Sequence, residues 1–176
     1  MITPEELLNK AREELNKAIK LLEEKDFYNA AEKAWKAVEL TRKALLITVN
    51  VPYEKAKTIT YGYPLFSRLL RALNQRKLLE KYGWFESTLH ARGFYEEITP
   101  IDEITEAIQQ VRSWINSIEE LIKQVKGINL IEAVSILEEI TNLRRKILRM
   151  NIEYIKLNEK LRIIIKEAIK TTKSFS

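Results

Sequence analysis

The spacing of apolar side chains in the second half of the chain leaves few folds open. Ile104, Ile108, Val111, Ile115, Ile118, Ile122 and Val125 follow one another in alternating steps of four and three. That interval returns each side chain to one face of an α-helix and to no single face of a strand. A second series keeps the alternation: Ile136, Ile140, Leu143, Ile147, Met150, Tyr154, Leu157, Leu161, Ile164 and Ala168. Only four Gly and four Pro occur among 176 residues, so little punctuates these runs. From Ala133 onward nothing interrupts the pattern, which predicts one helix of about 43 residues, about 65 Å long at 1.5 Å per residue. Part of so long a helix must pack on something beyond a small domain. Self-association along the seam is the expected arrangement, and a fold-back near Met150-Asn151 is the alternative.

The first hundred residues are more clearly divided. Thr3-Pro4-Glu5-Glu6 has the form of a helix start, with Thr3 as N-cap, Pro4 in the first helical position and Glu6 closing a capping box. Leu7, Leu8, Ala11, Leu15, Ala18, Ile19 and Leu22 mark one stripe that ends near Lys25. Asp26 is placed to cap a second helix carrying Phe27, Ala30, Ala31, Ala34, Trp35, Val38 and Leu45, whose alanines predict close approach of helix axes. Residues 47–63 contain Pro52 and Gly62 and read as a loop. A third helix is expected from Pro64 to Tyr82, stopped by Gly83, a short fourth from Phe85 to Glu97, and a fifth after the N-cap Thr99 and Pro100. The expected fold is all-α: an antiparallel up-down helix bundle over residues 1–126, then a long C-terminal helix or a helical hairpin over 127–176.

Composition closes off several chemistries. The chain has no cysteine, which excludes disulfides, thiolate zinc sites and cysteine nucleophiles. With a single His, no metal site and no cofactor is expected, and no Gly-rich phosphate loop, paired-His site or Gly-x-Ser-x-Gly elbow occurs. No apolar run approaches the roughly 20 residues of a membrane span, and the N-terminus has no signal pattern, so a cytoplasmic setting without membrane is expected. The net charge of +5 permits a polyanionic partner. Its distribution is uneven: from Lys55 to Arg92 there are eight bases and only two acids, Glu80 and Glu86. Arg68, Arg71 and Gln75 fall on one expected helix face, Arg76 and Lys77 follow, and Tyr61, Tyr63, Trp84 and Phe85 flank them. Bases neutralise phosphates and aromatic rings stack on nucleobases, so these five polar residues are candidate nucleic-acid or nucleotide contacts. The alternative is a solvated basic face beside core aromatics.

The segment Leu89-His90-Ala91-Arg92-Gly93-Phe94-Tyr95-Glu96 resembles the leucine-histidine-alanine-x-phenylalanine-tyrosine-glutamate motif of the archaeal PaREP family. Residues 26–37, Asp26-Phe27-Tyr28-Asn29-Ala30-Ala31-Glu32-Lys33-Ala34-Trp35-Lys36-Ala37, resemble that family's second helix. The resemblance covers roughly residues 5 to 125. It implies a helical bundle related to the HEPN superfamily (higher eukaryotes and prokaryotes nucleotide-binding), which is commonly dimeric. Superfamily members act as metal-independent ribonucleases, often as toxins, or bind nucleotides or a protein partner. The resemblance therefore implies an RNA- or nucleotide-binding role, in a toxin–antitoxin or defence setting. Nuclease members carry an Arg, then four to six residues, then a His. Here Arg76 lies farther upstream and Arg92 follows His90, a departure that sets binding ahead of cleavage.

On an α-helix His90 would lie beside Phe94, and Arg92 would pair with Glu96. For cleavage, His90 would be the acid or base and Arg92 the phosphate ligand, oriented by Tyr95 and Glu96. Otherwise His90 is a packed core histidine and the chain is a non-catalytic, homodimeric interaction or scaffold protein joined through its helical seams.

Overall fold

The computed structural model describes residues 2–146 and 151–173, with side chains over 2–143 and 155–171. Among these residues every regular element is helical and there is no strand. In chain order they are α1 (Pro4–Glu23), α2 (Phe27–Thr48), α3 (Tyr53–Ala56), α4 (Gly62–Ala72), α5 (Arg76–Phe85), a π-helical segment (Glu86–Tyr95), α6 (Ile101–Val125), α7 (Ile131–Lys146) and α8 (Asn151–Lys173). The chain forms two compact units, one from residues 1–45 and 76–124, the other from 46–75 and 125–176.

Helix ends follow local chemistry. The capping box forms: the Glu6 amide donates to Thr3 Oγ1 at 3.1 Å, and the Thr3 amide donates to Glu6 Oε2 at 2.8 Å. Lys25, Asn50 and Asn74 adopt left-handed φ of 63°, 62° and 58°. Each closes a helix by a Schellman pair, as where the Asp26 amide reaches the Leu21 carbonyl and the Lys25 amide the Leu22 carbonyl. At Asn74 this closure divides the helix expected from Pro64 to Tyr82 into α4 and α5. Gly83, expected to end it, lies inside α5 with nothing within 4 Å of where a Cβ would sit. The expected loop over 47–63 holds the end of α2, the single turn α3 and the start of α4.

In the first unit the small side chains of α2 disappear into the interior: Ala30, Ala31, Ala34 and Ala37 are fully buried. Trp114 of α6 packs against α5, its ring 6.2 Å from Tyr82 and 5.8 Å, edge-on, from Phe85. Its indole N–H donates to Thr41 Oγ1 of α2 at 2.7 Å. Beside it Arg42, only 1% exposed, forks onto Glu39, with Nε to Oε1 at 2.6 Å and Nη2 to Oε2 at 2.9 Å. The Tyr82 hydroxyl donates to the same Oε1 at 2.7 Å. Burial pushes the Glu39 carboxyl up, yet Arg42, Tyr82 and Lys43 together hold it below the usual carboxylate range. On α6 the expected seam is buried except for half-exposed Ile122, and Ala107, Trp114 and Leu121 are buried beside it. The apolar face is therefore broader than a coiled-coil stripe.

The π-helical segment continues α5 with a wider turn. The Glu96 amide extends its i→i−5 pattern to the Ala91 carbonyl at 3.1 Å. Gly93 is required here: a Cβ would lie 2.3 Å from the Thr88 carbonyl oxygen and 3.4 Å from Ala31 Cβ. The same carbonyl accepts from the buried Thr99 hydroxyl at 3.2 Å. Thr99, expected as an N-cap, is thereby turned inward, and the first bond of α6 runs from the Ile104 amide to the Pro100 carbonyl.

In the second unit α3 lies against α4, and α8 contacts both α4 and α7. Leu65, Phe66, Leu69, Leu70, Ile136, Leu137, Ile140, Leu161, Ile165 and Ile169 are buried. An ion pair joins Lys55 to Glu138, and the Leu130 amide donates to the Val49 carbonyl at 2.9 Å. The expected single helix of about 43 residues does not form. Two helices lie against each other, so the hairpin alternative applies. On α8 Ile165 and Ile169 are buried, whereas Ile164 and Ala168 are half-exposed. The buried positions of α8, Leu161, Ile165 and Ile169, recur every four residues, so its buried stripe does not follow the strict heptad. The seam residues Ile147, Met150 and Tyr154 lie outside the described side chains.

Two measurements test these constraints. Gly93→Ala should destabilise the fold by about 2–4 kcal/mol in chemical denaturation, because backbone must move, whereas Gly83→Ala should stabilise it by about 0.5–1 kcal/mol. Glu39→Gln leaves Arg42 buried without its counter-charge and should cost about 3–5 kcal/mol at neutral pH. The Glu39 pKa is lower folded than unfolded, so its contribution is present above about pH 4.3 and is lost as pH falls through the folded value. The stability gap between wild type and Glu39→Gln should therefore narrow in acid.

Candidate functional site

The motif residues lie on the π-helical segment of the first unit, and the wider turn changes their neighbours. His90 packs against Trp35 of α2, with ring centroids 5.1 Å apart and planes 21° from parallel. Its other neighbour is Tyr95, edge-on at 4.9 Å. Residues one π turn apart thus meet at i,i+5, in place of the expected His90–Phe94 neighbours at i,i+4. Phe94 packs instead against the Tyr95 ring at 5.2 Å. Trp35 in turn lies 5.4 Å from Tyr82, so an aromatic run leads from the half-buried Glu39 and buried Arg42 out to Tyr95, which is 70% exposed.

Arg92 follows the same rule. Its Nε donates to Ser87 Oγ, five residues back, at 3.2 Å, and its Nη2 meets Glu103 Oε2 of α6 at 3.4 Å. The expected Arg92–Glu96 pair is replaced by these contacts, and Glu96 is an exposed residue just past the segment. The structure brings His90 and Tyr95 together and directs Arg92 toward Ser87 and Glu103. A stacked imidazole whose neighbours are aromatic can pack or stack. Among the described residues none makes a hydrogen bond to it that would take or deliver a proton. Among the described residues no three His, Cys, Asp or Glu side chains converge as metal ligands would.

The basic residues separate. Arg68 and Arg71 lie on α4 in the second unit. Gln75 falls past the end of α4, with its amide on the Leu70 carbonyl, and so leaves the face on which it was expected. Arg76 and Lys77 are exposed at the start of α5 in the first unit. Of the flanking aromatics, Phe85 is core and Tyr61 lies under Lys55 Nζ, 4.5 Å from the ring centre.

Arg68 and Arg71 open onto a cavity of about 330 Å³ within the second unit, between α4 and α8. Asn158, Arg162 and Lys166 of α8 face them, with Ser67, Ala72 and Ile165 completing the wall. Among the described residues no carboxylate lines it. Arg68 is held in place by Nη1 to the Pro64 carbonyl at 3.2 Å and by Nη2 to Asn158 Oδ1 at 2.8 Å. Arg68 and Arg71 are one turn apart on α4, as are Arg162 and Lys166 on α8, and like charges at that spacing repel. The arrangement suits an anion better than it suits either helix. Asn158, Arg162 and Lys166 were not among the expected contacts. Their i, i+4, i+8 spacing marks one face of α8, but only the packing of α8 on α4 turns that face toward Arg68.

No curated protein matches the chain, and no solved structure does. Residues 6–115, which include most of α1, all of α2 and the π-helical motif with its stacked His90, match the archaeal PaREP1/PaREP8 family, and the chain belongs to that family.

Proposed function

We propose that the protein is a helical module of HEPN-like type that binds nucleotide or RNA in the cytoplasm without cleaving it. The observation that carries this reading is the α4–α8 cavity, where Arg68, Arg71, Arg162 and Lys166 converge with no carboxylate on its wall among the described residues. Phosphate is the common anion with a matching geometry, because guanidinium forks bind its oxygens in pairs. Cleavage would need a general base beside a phosphate-holding cation. His90 is stacked between rings, and Arg92 is engaged by Ser87 and Glu103, so neither supports that chemistry. A role in a toxin–antitoxin or defence system fits a binding component better than a cleaving one.

A second reading, a homodimeric scaffold, has one specific observation behind it. Ile155 and Ile163 of α8, two turns apart on one face, are 58% and 53% exposed. Apolar side chains so placed favour burial against a second copy.

RNA binding should weaken with salt, with a negative slope of log affinity against log salt. Arg71→Ala with Arg162→Ala should reduce that slope by roughly one or more. His90→Ala should change neither the affinity nor the integrity of the RNA; loss of a cleavage activity in that variant would sink the non-catalytic reading. For the scaffold, light scattering should give twice the chain mass, and Ile155→Ser with Ile163→Ser should give the single-chain mass. A wild-type monomer would remove it.

A further inference from the structure

Resting on the phosphate-binding reading above, we infer that the α4–α8 cavity receives one terminal phosphate monoester bearing a ring-sized group, and not the diester backbone of a strand laid across it. Size is the first reason. At about 330 Å³ the cavity sits at the small end of ligand sites, which run from about 300 to 1,000 Å³. A groove for single-stranded nucleic acid instead tracks about four or more nucleotides over the surface.

Charge is the second reason. Four cationic side chains reach this one space from two helices. A monoester carries about −1.5 to −2 at neutral pH, whereas a backbone diester carries one charge. The more highly charged group relieves more of the repulsion between Arg68 and Arg71 on one side and Arg162 and Lys166 on the other.

Preorganisation and wall chemistry complete the case. The bond from Arg68 Nη2 to Asn158 Oδ1 ties α4 to α8 across the cavity, and Nη1 on the Pro64 carbonyl fixes the guanidinium plane. A fork already held loses little freedom when an anion arrives. Arg162 and Lys166 are exposed and project from α8 toward the same space. Beside these charges Ala72 and Ile165 offer an apolar wall, and Ile165 is 1% exposed at its base. A charged end and an apolar side in one small space match a phosphate joined to a flat ring, as in a nucleoside monophosphate or in the 5′-terminal nucleotide of an RNA.

Isothermal titration of the full chain separates these sources, using AMP, inorganic phosphate, a 5′-phosphorylated RNA hexamer and the same hexamer with a 5′-hydroxyl. AMP, the 5′-phosphorylated hexamer or both should bind at least about tenfold more tightly than the 5′-hydroxyl hexamer, with inorganic phosphate weaker than AMP. Binding by AMP alone assigns the free nucleotide, and binding by the phosphorylated hexamer alone assigns a strand end. Arg162→Ala and Lys166→Ala, both at exposed positions, should each weaken that binding about tenfold with helix content unchanged by circular dichroism. Equal affinity for the two hexamers without AMP binding overturns the monoester inference and leaves phosphate binding standing. Tight monoester binding that both substitutions leave unchanged overturns the assignment to this cavity. Failure of every ligand to bind removes the inference and the proposed function together.

Discussion

Placing Arg42 inside the first unit imposes the condition that the surrounding helices must meet. A guanidinium removed from water is tolerated only with a paired charge and filled hydrogen bonds. Glu39, three residues earlier on α2, supplies the charge, and Tyr82 of α5 adds its hydroxyl to the same carboxylate. One buried charge therefore ties α2 to α5. From there the packing follows by contact: Tyr82 to Trp35, Trp35 to His90, and Trp114 to Thr41. The family motif stands at the far end of this chain, placed by aromatic packing that starts from an ion pair.

Much of the fold was legible in the sequence, and the reasons are local. The capping box at Thr3, the α1 stripe, the small-residue face of α2 and the α6 seam all depend on residues a few positions apart. What could not be read depended on a distant partner. Thr99 has the form of an N-cap, but the Thr88 carbonyl claims its hydroxyl from within the unit. Asn74 took the left-handed position that Gly83 was expected to fill, because Asn also tolerates that backbone and its neighbours complete the closure. The C-terminal stripe was periodic enough for one long helix, and periodicity alone cannot tell a seam that meets another chain from one that folds onto its own neighbour.

The candidate sites show the same division. His90 and Arg92 were identifiable as residue types, and Arg68 and Arg71 as a charged helical face. Their partners were assigned on the assumption of 3.6 residues per turn, and the π-helical segment invalidates that assumption over the ten residues where it mattered. Arg162 and Lys166 had no place among the expected contacts. Packing of α8 on α4 gives them a role, since four cations from two helices in one small space create a field that neither helix has alone.

The wide turn at Gly93 falls where this segment is one residue longer than the motif it resembles. The motif it resembles spaces its alanine and phenylalanine by a single residue, and here two residues, Arg92 and Gly93, stand between Ala91 and Phe94. An α-helix given one extra residue would rotate everything beyond it by about 100° and swing Phe94, Tyr95 and the entry to α6 off the surface they pack on. Spreading the surplus over a looser spiral absorbs it locally, and a residue without a Cβ is what permits the carbonyl of Thr88 to come so near. The wide turn is thus confined to the one segment between α5 and α6.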